Sequence, residues 1–329
     1  MTAMKRQIIV ITALLLASGS SVAAQQQAKA MPRIGLIVSA SKPSSPQLKA
    51  FRLALHDLGY VEGKNILIER RHAEGRLDRM AELVSDLVQK RVDLILAPNN
   101  VAIRAAVKAT TSIPIVMVSS IDPVEAGYVK SFTHPGGNIT GLTSISRDLS
   151  AKRVELLIEL LPKISRFSIL WDADGPGPAI GFRKYEAAAH AFKLEMRSLE
   201  VRGPKPDFEK AFEGAKAARA EALIVVQNPL ISQYAKQVFE LAIKNRLVSM
   251  TEEGQFVDAG GLISYGANVA DLYRRAATYA GKILKGAKPS DLPVEEPNQF
   301  ELIINLKTAK KIALTIPLTV LGRADRVIR

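Results

Sequence analysis

The order of elements constrains this chain more than any single motif. Short apolar runs alternate with stretches whose apolar residues recur at three- and four-residue spacing, and the series runs twice. "RIGLIV" (33–38) is the kind of run that makes a buried parallel strand. Leu48, Phe51, Leu55 and Leu58 then share one helical face, which Gly59 ends. "NILIER" (65–70), an amphipathic stretch marked by Met80, Leu83, Val84, Leu87 and Val88, "VDLILA" (92–97), a helix over 101–110 and "IPIVMV" (113–118) continue the series. The second half restarts it with "FSILWD" (167–172), a helix over 179–192, "LEMRSL" (194–199), a helix over 207–218, "ALIVVQN" (222–228), a helix over 231–244 and "LVSMT" (247–251). Such alternation with short connections predicts an α/β fold of two similar lobes, each a parallel sheet flanked by helices. The 329 residues suffice for two such cores.

The halves also match in detail. "DLILAPN" (93–99) is similar to "ALIVVQN" (222–228), and "GGNITGLTS" (136–144) is similar to "GGLISYGAN" (260–268). Each Gly-Gly segment reads as a strand that closes one lobe before the chain leaves it. Gly141 and Gly266 supply backbone freedom there. The two segments are therefore expected to be crossover strands, that is, hinges, with edge strands and tight turns as the plainer alternative. The expected lobes are 31–143 with 266–290, and 144–265 with 291–329.

The N-terminal "MTAMKRQIIVITALLLASGSSVAAQQQ" pairs Lys5 and Arg6 with an apolar run from Ile8 to Ala17 and then small residues. That run is short for a bilayer, which needs about 20 residues. Residues 1–24 are expected to be a secretory signal peptide, with Val22 and Ala24 before the cut and the mature protein in the periplasm. Cysteine is absent, which excludes disulfides, a thiol nucleophile and a lipid-anchored cysteine. The formal charge is +13. Its Lys and Arg are scattered, as in "KRVELLIELLPKISR" (152–166), and aromatic residues are only 5%, which leaves no base-stacking platform. The charge is expected on a solvated surface, with no nucleic acid as partner.

The parts of an enzyme are missing. There is no Gly-Lys-Ser/Thr of a phosphate loop and no G-x-S-x-G elbow. His56, His72, His134 and His190 have no metal-ligand spacing. "GPGPAIG" (175–181) is a loose glycine pattern, but its prolines remove N–H donors that a pyrophosphate needs, so it is expected to be a plain strand-to-helix loop. No cofactor, metal or catalytic residue is expected.

What remains is binding chemistry. Ligands of parallel sheets sit beyond the carboxyl ends of the strands. Here those ends are polar: Ser39 and Ser41, Asn99, Ser120 and Asp122 in the first half, and Trp171, Asn228 and Glu252 in the second. Hydroxyls and amides suit a carboxylate, Asp or Glu suits an ammonium, and Trp171 suits an apolar part. Asp122 is expected to meet a cationic group of the ligand. Helix capping for the Ser, Asp and Asn residues, and core packing for Trp171, are the plainer alternatives.

From about Ile34 to its end the chain resembles the periplasmic solute-binding proteins of ABC transporters, in the family that includes tryptophan-binding members. The resemblance is carried by "GYVEGKNILIERRHAEG" (59–75), "SSIDPVEAGYV" (119–129), "HPGGNITGLTS" (134–144) and, above all, "GGLISYGANVADLYRRAATYAGKILKGAKPSDLPVEEPNQFELIINLKTAKKIALTIP" (260–317). It implies a type I binding-protein fold, a small-molecule ligand such as an amino acid or an aromatic or organic acid held in the cleft, a monomer, and delivery to an ABC permease in the inner membrane. The same clamshell presented to a membrane receptor as a sensor is the alternative. The family's pocket carries over to Asn99, Asp122, Thr143, Asn228 and Tyr265. "WDADGPGPAIG" departs from the asparagine- and proline-rich loop common in the family.

Overall fold

In the computed structural model, which describes residues 31–38, 46–119, 121–144, 149–174 and 176–329, two sheets carry the fold. The first contains β1 (Arg33–Val38), β2 (Leu67–His72), β3 (Leu94–Ala97), β4 (Ile115–Ser119) and β5 (Ile139–Thr143), all parallel, in the order β2-β1-β3-β4-β5. The second contains β6 (Arg166–Asp172), β7 (Glu195–Val201), β8 (Ala222–Val225), β9 (Val248–Thr251), β10 (Ile263–Ala267), β11 (Phe300–Asn305) and β12 (Arg326–Ile328). Its order, β7-β6-β8-β9-β10-β11-β12, repeats the first sheet's and adds two strands at the edge. The halves that match in sequence therefore match in topology.

Helices cover both faces of each sheet. α1 (Pro46–Asp57), α2 (Met80–Gln89) and α3 (Asn100–Ala109) serve the first. α4 (Ser150–Leu160), α5 (Pro176–Ala191), α6 (Phe208–Ala217), α7 (Pro229–Gln233), α8 (Ala235–Lys244) and α9 (Gly254–Asp258) serve the second. α10 (Val269–Leu284) follows β10 but returns to the first sheet, where Leu272, Ala276 and Tyr279 join Leu48, Phe51 and Leu55 of α1 in one core. α11 (Leu306–Lys311) and α12 (Leu318–Leu321) lie on either side of a short C-terminal turn. Residues 33–329 form one compact unit.

Three connections join the lobes: one between β5 and α4, one at Asn268 after β10, and one at 296–299 before β11. Before the third, residues 292–295 stay with the first lobe. Glu295 N–H donates to Gly141 O at 3.0 Å, Thr143 N–H to Glu295 O at 3.0 Å, and Thr140 Oγ1 to Leu292 O at 2.6 Å. An ion pair from Arg275 to Glu295 ties the same segment to α10.

Some boundaries differ from the sequence reading. α5 begins at Pro176, so most of "GPGPAIG" is helix, not loop. First-turn N–H groups have no partner inside a helix, so prolines there cost little. The stretch 231–244 is broken at Tyr234, whose φ of −106° and ψ of 14° leave the helical region while its hydroxyl donates to Pro204 O at 2.8 Å. β11 pairs antiparallel with β10. A short apolar run such as 301–306 has no periodicity to separate strand from helix. Leu58, placed on the buried face of α1, lies past the helix end and is 39% exposed.

Candidate ligand-binding site

In a sheet ordered 2-1-3-4-5, the crevice for a ligand opens where the order reverses, between the ends of the first and third strands. In the first lobe that is between the end of β1 and the end of β3, which Asn99 follows. Ser39, Ser41 and Ser120 lie outside the described residues, as does the segment 1–24 expected to be a signal peptide. Asn99 is the N-cap of α3, its Oδ1 accepting from Val101 N and Ala102 N at 3.0 Å each. Asp122 Oδ1 accepts from Val124 N at 2.8 Å and Glu125 N at 3.0 Å, so its carboxylate does cap a turn. Thr143 is fully buried, with its hydroxyl 3.5 Å from Ile121 O. Next to it, Ser119 Oγ accepts from Ile121 N at 3.2 Å and lies 3.0 Å from Asn100 Oδ1.

In the second lobe the crevice lies between β6 and β8. Asn228 follows β8 and caps α7, Oδ1 accepting from Ile231 N at 2.9 Å. That bond fixes the amide orientation and leaves Nδ2 as a buried donor with no hydrogen-bond partner among the described residues. The Oε1 of neighbouring Gln227 is likewise buried and unpartnered. Trp171, at the end of β6, stacks on Phe182 of α5 with centroids 4.7 Å apart and gives its indole N–H to Ser198 Oγ at 2.9 Å. Its ring thus packs within the second lobe's core. Tyr265 stacks on Phe300, centroids 6.4 Å apart.

Glu252, just after β9, joins a network whose members lie far apart in sequence. Its Oε2 accepts from Gln227 N at 2.9 Å, and its Oε1 accepts from the Tyr185 hydroxyl at 3.0 Å and from Arg153 Nη1 at 3.4 Å. Arg153 Nη1 also donates to Tyr185 Oη at 2.9 Å, and Arg153 Nε donates to Tyr265 O at 2.7 Å. Burial pushes the Tyr185 hydroxyl far above its ordinary range, so it stays protonated and able to donate. Arg153 corrects the expectation that this stretch carries only solvated charge: it is fully buried. The signal was present, because Ser150, Arg153, Val154, Leu157 and Leu160 are the buried face of α4 at i, i+3, i+4 spacing.

Glu253 sits beside this cluster with Gln255 Nε2 2.6 Å from its Oε2. Burial first, and then the charge of Glu252, raise its carboxyl from 4.5 to about 7, opposed by Gln255 and Arg153. The folded chain therefore keeps a proton that the unfolded chain releases, and this group's contribution to stability falls as pH rises from about 4.5 through about 7. Glu253→Gln, which is neutral throughout, is expected to melt higher than wild type at pH 8, with the gap shrinking toward pH 5. Melting curves at both values check this, and a gap that ignores pH would contradict it.

The two lobes touch. A Cβ on Gly75, in the loop after β2, would lie 3.1 Å from Gln233 Nε2 at the end of α7. Tyr273 of α10, packed in the first lobe's core, feels the negative charge of Glu253 in the second. Residues 33–328 match the family described as ABC transporter substrate binding protein. The chain belongs to that family. A tyrosine-binding protein of Clostridioides difficile is 29% identical over 298 residues, covering 86% of this chain and 81% of that one. A Streptococcus pneumoniae ABC domain solved with L-Trp superposes with a TM-score of 0.78 at 24% identity, covering 90% of this chain and 99% of the other. The ligand-free, open form of a substrate-binding protein from Clostridium difficile gives 0.69 at the same identity and coverage. These neighbours share the type I periplasmic binding fold. As a family member the chain is a binding protein, and no described helix is long and apolar enough to cross a membrane.

Proposed function

We propose that this protein is the solute-binding component of an ABC importer, which captures an amino acid or a small aromatic or organic acid between its lobes and delivers it to an inner-membrane permease. The reading rests on the family match over residues 33–328. The relatives named for tyrosine and bound to L-Trp favour an aromatic amino acid. In this reading residues 1–24 direct export, and the mature protein works in the periplasm as a monomer. One lobe is 31–143 with 266–290 and the other 144–265 with 291–329, except that 291–295 are moved to the first lobe on the hydrogen bonds of Leu292 and Glu295 to β5. The ligand contacts are Ser39, Ser41, Asn99, Ser120, Asp122, Thr143, Trp171, Asn228, Glu252 and Tyr265. The buried Nδ2 of Asn228 suits a ligand carboxylate, and the carboxylates of Asp122 and Glu252 suit its ammonium.

A thermal-shift panel with L-tyrosine, L-tryptophan and small aromatic acids tests the function. A ligand at 100 times its Kd adds about 2.7 kcal/mol of stability, so one member is expected to raise the melting temperature by several degrees. No shift across the panel at millimolar concentration would overturn the ligand class. Asp122→Asn keeps the cap and removes the charge. Loss of an ionic contact costs roughly 2–5 kcal/mol of binding, so affinity for the identified ligand should fall more than tenfold. A change within about threefold would leave Asp122 as a cap alone.

A further inference from the structure

Arg153 stands at the junction of two passages between the lobes. Its helix, α4, is the first element after β5, and the carbonyl it holds, Tyr265 O at 2.7 Å, lies just before the passage at Asn268. Between them, Gly266 leans on the backbone of Glu252 so closely that a Cβ there would overlap Glu252 O, while Arg153 Nη2 would lie 3.5 Å from it. The same guanidinium reaches Glu252 Oε1, whose partner oxygen holds the Gln227 N–H at the end of β8. One buried side chain thus touches the strand feeding one passage, lies in the first turn of the helix that follows β5, and is one carboxylate away from the polar residues that follow β8 and β9.

We propose that Arg153 is a positioning residue for lobe closure, fixing the angle at which the chain leaves the second lobe relative to the strand ends that face the first. Tyr185 and Glu252 hold the guanidinium in register: the tyrosine hydroxyl lies 2.9 Å from Arg153 Nη1 and 3.0 Å from Glu252 Oε1. The fork geometry matters because arginine presents donors in several fixed directions, whereas a lysine ammonium at one point cannot reach Tyr265 O, Tyr185 and Glu252 together. A residue that only neutralised Glu252 would be replaced adequately by lysine. A residue that sets the exit angle would not. This inference does not depend on which ligand is captured.

The chain has no cysteine, so Asp78→Cys in the first lobe and Lys236→Cys in the second, both exposed, accept spin labels without background. The measured quantity is the interlobe distance distribution of the free protein and of the protein with L-tyrosine, in wild type, Arg153→Lys and Tyr185→Phe backgrounds. Arg153→Lys is expected to fold and to broaden the ligand-free distribution roughly twofold, because the second lobe is no longer held at one exit angle. Tyr185→Phe should broaden it less. A folded Arg153→Lys protein with the wild-type distribution overturns the proposal. If Arg153→Lys fails to fold, Tyr185→Phe decides, and a wild-type distribution there overturns it equally. Wild type that ignores L-tyrosine speaks against that ligand and leaves the ligand-free comparison standing.

Discussion

Replacing Arg153 with methionine is expected to destabilise the protein by about 3–5 kcal/mol, the range for removing one partner of a buried ion pair. The cause is the group left behind. Glu252 is 7% exposed, and without the guanidinium its charge would face only the Tyr185 hydroxyl and the Gln227 N–H. Methionine fills much of the same volume, so a cavity contributes little and electrostatics dominate. Adding Glu252→Gln removes the stranded charge and keeps an oxygen to accept from Gln227 N. The double variant should therefore be about 2 kcal/mol more stable than the sum of the two single losses. Urea unfolding with an unchanged m-value measures each term. Additive losses would show that Arg153 and Glu252 act separately.

That pair also marks where sequence reading stopped. Alternating strand and helix periods, with an Asn following β3 in one half and β8 in the other, sufficed for two similar lobes, though not for the two strands added at the edge of the second sheet. Reading the second Gly-Gly segment as the strand that closes its lobe left the helix after it free to return to the first lobe. Individual side-chain duties were less legible. Arg153 occupies a core position of α4, but an arginine between lysine and glutamate reads as surface unless its partner is known, and Glu252 lies 99 residues away. Trp171 at a strand end read equally well as pocket or core, and only the placement of Phe182 and Ser198 shows what its ring and N–H touch. Asn99, Asn228 and Asp122 do cap the turns that follow them, as their residue types allowed. Capping uses one oxygen of each, so it is compatible with a ligand at the other atom, and a sequence cannot separate the two duties. The polar ends of the strands were visible; which of their atoms remain unsatisfied depends on long-range packing.

The paired Gly-Gly segments carry the other large expected effect, and their two key glycines are required for different reasons. Gly141, in the middle of β5, has φ +137°, a region that side chains rarely adopt, and a Cβ there would sit 2.6 Å from Met117 N and overlap Met117 O on the neighbouring strand. Gly141→Ala therefore meets backbone strain of about 1–3 kcal/mol together with a clash that no rotamer change relieves, because the obstacle is main chain of β4. A total loss of roughly 4 kcal/mol or more is expected, in the range reached by few single substitutions. Gly266 has an ordinary φ, and its difficulty is purely one of approach: a Cβ would overlap Glu252 O. Gly266→Ala can be relieved by moving β10 away from β9, so it should cost less stability than Gly141→Ala but disturb closure more, since the shift falls beside the passage at Asn268. Gly137, which belongs to the same motif as Gly141, has nothing within 4 Å of its Cβ position, so Gly137→Ala should change stability by no more than about 0.5 kcal/mol. Denaturation midpoints for the three alanine variants, read beside the interlobe distance of Gly266→Ala, check the set. Equal losses at 137 and 141 would mean that β5 can slide off β4, and that the first passage is not anchored by this strand.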